Sequence, residues 1–123
     1  MAFSELFLNN FETSDNTEDR RLKPHYYNND YNTTQQAVIK SLQEVGFQTL
    51  NIDNNYHEML FENKKATVII LLREISLYEM RVDIKISTKY LLPLRRPIQL
   101  IENLYELFDR KLTLKYRGGE GSE

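Results

Sequence analysis

The residue types that do chemistry are sparse in this chain. It has two histidines, His25 and His57, and no cysteine. A zinc-type centre needs several ligands in tight local geometry. Two isolated histidines do not form such a cluster, so no metal and no cofactor are expected. His57 alternates with Met59 and Phe61, which places it near the apolar face of a strand; His25, beside Pro24 and Tyr26, reads as a loop residue. The serines are Ser4, Ser14, Ser41, Ser76, Ser87 and Ser122, and none sits in a Gly-x-Ser-x-Gly elbow. Three of the four glycines fall in the C-terminal tail, so there is no glycine-rich phosphate loop. No catalytic residue is identified, and a non-enzymatic role is expected. Among the acids Asp83 stands out, lying between Arg81 and Lys85. Carboxylates at such strand positions commonly join cross-strand ion pairs.

Two constellations remain. The first is basic. Residues 81–117 hold nine basic and four acidic groups in a chain of net charge −2. Arg81, Lys85 and Lys89 share one face of a strand of period two, and Arg95 and Arg96 follow in the connection to a helix, with Tyr90 adjacent. Basic groups beside an aromatic suit a single-stranded nucleic acid or another anion. The net acidic balance weakens long-range attraction to phosphate, so nucleic acid is the lesser expectation. The second constellation is apolar. Val68, Ile69, Ile70, Leu71 and Leu72 offer apolar side chains to both faces of one strand. Ile69, Leu71, Leu60 and Phe47 are expected to add to a sheet face away from the helices. Phe3, Phe7 and Phe11 lie near helical spacing at the N-terminus and offer a cover for that face. A second copy of the chain or another protein is the other candidate cover.

The elements that must position these residues follow from periodicity. Met80-Arg81-Val82-Asp83-Ile84-Lys85-Ile86-Ser87 alternates apolar and polar residues, as in a strand with one buried and one solvated face. That alternation indicates an antiparallel sheet, because buried parallel strands read as continuous apolar runs. Strands are expected at 47–52, 56–62, 66–75 and 79–90, separated by the turn clusters Asp53-Asn54-Asn55 and Asn63-Lys64-Lys65. A helix is expected from Thr33, capped by Thr33 and Gln36 and ended by Gly46. Pro97 opens a second helix with the stripe Ile101, Leu104, Tyr105, Phe108 and Leu112.

The expected architecture is α+β: a four-stranded antiparallel meander with two helices on one face, in the order α-β-β-β-β-α. It occupies residues 31–117, after a flexible or docking segment 1–30 and before a disordered tail 118–123. No apolar run reaches the roughly 20 residues of a membrane span, and Met1-Ala2-Phe3-Ser4-Glu5 lacks the basic start of an export signal. A cytoplasmic location is expected.

Val45-Gly46-Phe47 at a helix end, Asn51-Ile52-Asp53, Met59-Leu60-Phe61 and Arg81-Val82-Asp83-Ile84-Lys85 form a further pattern. Over roughly residues 31–113 it resembles small bacterial cytosolic domains of uncharacterised function, with a helix-grip-like or TATA-binding-protein-like layout of curved sheet and two helices. Repeats of outer-membrane assembly lipoproteins look related, but this chain lacks a lipoprotein signal and its cysteine. The resemblance implies a fold and supplies no active-site residues. The expected role is therefore a non-catalytic interaction module that binds a protein partner, or itself, through an apolar sheet face. The alternative is binding of nucleic acid or an anionic ligand on the basic strand face.

Overall fold

The computed structural model describes residues 9–14, 20–88 and 95–118; for residues 9–11, 95 and 96 only the backbone is described. The strands are β1 (Asn9–Glu12), β2 (His25–Tyr27), β3 (Gln48–Asp53), β4 (Glu58–Glu62), β5 (Ala66–Ser76), β6 (Glu79–Thr88) and β7 (Leu114–Arg117). The helices are α1 (Tyr31–Glu44) and α2 (Arg95–Lys111), and a single 3-10 turn spans Arg20–Leu22.

The expected meander is present as β3-β4-β5-β6, antiparallel throughout. The sheet is wider than the four strands expected. Six strands lie side by side in the order β3-β4-β5-β6-β2-β7, and β1 pairs with β6 beyond the end of β2. β2 lies against Met80–Val82 of β6, and β1 against Lys85–Thr88. Residues 9–12 and 25–27, read from sequence as part of a leading segment, are thus strands of the same sheet. Their addition has a simple cause. The exposed flank of a ten-residue β6 presents unpaired amides and carbonyls, and a strand laid along it satisfies them.

α1 begins at Tyr31, two residues before the expected start. Its N-cap is Asp30, whose carboxylate accepts from the Thr33 backbone amide at 2.8 Å, not the Thr33–Gln36 pair. Those hydrogen bonds to the charged form hold the Asp30 carboxyl below its ordinary pKa. The helix ends as expected at Gly46, with φ +91°. The Gly46 amide donates to Gln43 O, and the Phe47 amide to Leu42 O, closing the last turn. Phe47 then turns into the core at 4% exposure, so it does not join the face away from the helices. Pro97 is the third residue of α2, still within the first turn where amides have no intrahelical acceptor.

Both helices cover one sheet face. Val38 and Leu42 of α1 and Ile101, Leu104 and Phe108 of α2 share a core with Met59 and Phe61 of β4, Val68, Ile70 and Leu72 of β5, and Val82, Ile84 and Ile86 of β6. Lys111 Nζ donates to Glu44 Oε1 at 2.8 Å and ties the helix ends together. The alternate residues of β4, β5 and β6 face the other way.

Candidate functional site: the helix-free face

Cross-strand register determines which side chains meet on the uncovered face. Arg73 lies opposite Arg81, Arg81 opposite Tyr26, and Tyr26 opposite Tyr116, making one row across β5, β6, β2 and β7. The next row holds Glu58, Leu71 and Asp83. A third holds Asn51, Leu60, Ile69, Lys85 and Glu12. The two candidate sets therefore meet: Ile69 pairs directly with Lys85, and Leu71 with Asp83. Leu60, Ile69 and Leu71 are half-buried. A groove of about 360 Å³ runs over Ile69 and Leu71 beside Thr13, Arg81, Asp83 and Lys85.

Asp83 organises this groove. Arg81 donates to it twice, Nε to Oδ2 at 2.8 Å and Nη2 to Oδ1 at 3.2 Å. Thr13 Oγ1 donates to Oδ1 at 2.9 Å, and Arg73 Nε lies 3.7 Å from Oδ2. A planar guanidinium matches a carboxylate in this two-point fashion. Asp83 is ion-paired, but not chiefly across strands and in solvent as expected: its two-point partner Arg81 stands on the same strand, its side chain is 13% exposed, and the cross-strand contact is the longer one to Arg73. The groove is lined by Arg73, Arg81 and Lys85 against Glu12, Glu58 and Asp83, so its charges balance.

A polar thread crosses the sheet beside Asp83, where β1 has ended and β2 has not begun. The Thr13 amide donates to Ile84 O at 2.9 Å, and Thr13 Oγ1 accepts from the Ile84 amide at 3.0 Å. From the helix side Tyr105 reaches the same gap and donates to Val82 O at 2.6 Å. Burial raises the Tyr105 hydroxyl's pKa well above its usual value. Along the first row, the Tyr26 and Tyr116 rings lie 4.5 Å apart, with the Arg81 guanidinium 5.9 Å from the Tyr26 centroid. Lys115 Nζ donates to Glu79 at 2.9 Å, and that hydrogen bond raises the lysine's pKa.

Of the basic candidates, Arg81 and Lys85 share the groove. Arg95 and Arg96 begin α2, in the layer on the other side of the sheet. Lys89 lies outside the described residues, as do Phe3 and Phe7. Phe11 occupies the β1 register position opposite Ile86. Tyr26 and Tyr116 were not singled out from sequence as site residues. Leu114-Lys115-Tyr116-Arg117 does alternate, and that was the available signal for β7. Its bulge against Tyr26 and Tyr27 adds one residue and returns Tyr116 to the helix-free side. His57 precedes β4 in a turn at φ +57°, 4.7 Å from the Tyr31 ring. His25 is not a loop residue: it lies in β2 on the helix side, 6% exposed. Among the described residues there is no group of three or more potential metal ligands, and no helix is long and apolar enough to cross a membrane. No protein-family model matches this chain, and no curated protein matches it.

Proposed function

We propose that this chain is a non-catalytic, cytosolic interaction module that binds a protein partner, a second copy included, through the helix-free face of its sheet. The observation that carries this reading is the apolar pair Ile69 and Leu71 set in a groove whose three basic and three acidic side chains balance, with Leu60 beside Ile69 on the neighbouring strand. A polyanion gains from a one-signed surface. A balanced rim around aliphatic residues suits a protein surface, where complementary charges set orientation and the apolar centre is desolvated. Covering the remaining exposed area of three half-buried aliphatic side chains contributes only a few kcal/mol, at about 25 cal/mol per Å2. Charged and backbone contacts must supply the rest.

The test places a photo-crosslinking residue on the strip as Ile69→p-benzoylphenylalanine in the full chain, expressed in its source cell. A discrete protein adduct, or an adduct to a second copy, is expected, and Leu71→Arg should abolish it while the circular dichroism spectrum is unchanged. No adduct from position 69, together with a monomeric mass by light scattering, would overturn the reading.

The row Arg73, Arg81, Tyr26 and Tyr116 favours a second reading, a single-stranded nucleic acid laid across the same face. Stacked aromatics with neighbouring guanidinium groups are the elements of such platforms. It predicts single-strand binding that weakens steeply with salt and is lost in Tyr26→Ala. An unchanged fluorescence anisotropy at low salt would remove it.

A further inference from the structure

β3 closes one edge of the sheet. It is hydrogen-bonded to β4 on one flank, and among the described residues no strand lies along the other. Every residue from Gln48 to Ile52 is exposed, with Leu50 at 49% and Ile52 at 38%. Such an edge accepts another strand, and proteins commonly blunt it with lysine, proline or a bulge. From 48 to 53 there is no lysine, arginine or proline. The opposite edge, β7, is shorter and carries Lys115 and Arg117.

β3 does have a bulge, at Leu50, and the bulge makes the strand match itself. Facing residues of an antiparallel pair point to the same side of the sheet. Thr49 and Ile52 lie opposite Phe61 and Met59, whose side chains are core, so they take the helix side. Gln48, Asn51 and Asp53 lie opposite Glu62, Leu60 and Glu58 and take the helix-free side. Consider a second copy laid antiparallel, with the centre between Leu50 and Asn51. Gln48 then faces Asp53 and Thr49 faces Ile52, each pair sharing a side. Without the extra residue, strict alternation would set every residue in this register against one from the wrong side. A shift by one residue sets Asp53 against Thr49, or Ile52 against Gln48, again on opposite sides.

Charge and shape favour the same arrangement. The Asp53 end of one copy comes to the end of the other that carries Lys64 and Lys65, both exposed. Parallel strands would set Asp53 beside Asp53. At the lysine end a hollow of about 620 Å³ is lined by Gly46, Gln48, Glu62, Asn63, Lys64 and Lys65. Beyond Asp53 the turn carries Tyr56, 75% exposed, which in this register comes level with the Gly46 end of the other copy.

We propose that β3 pairs antiparallel with β3 of a second copy, so that one sheet runs through a two-fold dimer. Main-chain hydrogen bonds join the edges, Leu50 and Ile52 lose exposed area, and Tyr56 enters the other copy's hollow. The contact is isologous and therefore closes at the dimer. Both helix-free faces then lie on the same side of the joined sheet. The edge is separate from the proposed docking face, so either can stand without the other, and the cross-link from position 69 does not report on it.

The test follows the full chain by light scattering and amide hydrogen exchange from about 1 to 100 µM. A dimer with a dissociation constant at or below about 10 µM is expected, with the amides of 48–53 slowing as it forms. Leu50 stands beside its own copy at the two-fold axis. Leu50→Lys and Leu50→Glu, at an exposed site, should each weaken the dimer about tenfold or more through like-charge repulsion, and an equimolar mixture of the two should dimerise again at low salt. Four outcomes would overturn the proposal: a chain still monomeric at about 100 µM, a dimer that leaves exchange at 48–53 unchanged, a dimer as tight in both variants, or variants that dissociate alone and stay apart when mixed.

Discussion

Alkaline pH should unfold this protein cooperatively, and two tyrosines determine how steeply. Tyr27 is 0% exposed and donates to Asp109 at 2.7 Å; Tyr105 is 2% exposed and donates to Val82 O at 2.6 Å. Burial, first, and the Asp109 charge, second, raise the pKa of Tyr27; burial is the leading cause for Tyr105. In the unfolded chain both ionise near pH 10. Below that pH both states keep their protons, and the buried hydroxyls contribute in full. Above it the unfolded state releases two protons that the folded state retains. Stability then falls by about 1.4 kcal/mol per pH unit for each tyrosine, or roughly 2.7 for the pair. A domain stable by about 5 kcal/mol reaches its midpoint roughly two units above pH 10. Tyrosinate absorbance should therefore show a final step coincident with loss of far-UV circular dichroism. Tyr27→Phe should cut the slope of stability against pH by about 1.4 kcal/mol per unit. If all eight tyrosines titrate along one shallow curve while the dichroism persists, these hydroxyls reach water, and the packing around β2 and α2 is not as described.

Three further perturbations test the fold and the groove. Gly46→Ala should destabilise by about 1–2 kcal/mol in urea melts, because the backbone at φ +91° disfavours a Cβ even though no atom crowds it, and a neutral effect would remove the strain argument. Phe61→Ala, at a site 0% exposed, should cost about 3–5 kcal/mol, and a loss under about 1 would place it outside the core. Asp83→Asn should cost about 1.5–3 kcal/mol by weakening the Arg81 and Thr13 contacts, at a side chain only 13% exposed. It should also raise low-salt affinity for a single-stranded oligonucleotide, since the groove loses one of its three negative charges; equal or lower affinity would show that charge balance does not govern this face.

The local elements were legible because local physics makes them. The strict alternation of β6, the apolar stripe from Ile101 to Leu112, and the Asp53 and Asn63 turn clusters each carry their signal within one window. Each then appears as an element, with Asp53 Oδ1 accepting from the Asn55 and Tyr56 amides and Asn63 Oδ1 from the Lys65 and Ala66 amides. The α1 start was missed because two caps compete within four residues. Asp30 prevails and adds Tyr31 and Asn32, which the Thr33–Gln36 pattern leaves out.

By itself, then, the sequence determined the β3–β6 meander, two amphipathic helices on one face, and the alternation that sends Arg81, Asp83 and Lys85 away from them. Tertiary structure decided the rest. β1, β2 and β7 have three or four residues each, too few to show a period or to stand alone, and they exist because β6 and then β2 offer open backbone edges. The groove depends on their addition, since Thr13 reaches Asp83 across 70 residues of sequence. The contact between His25 Nδ1 and Asp109 Oδ1 depends on it still more, joining residues 84 apart in sequence. A period in the chain records which face a residue takes. Only the closing of distant edges decides what it meets there.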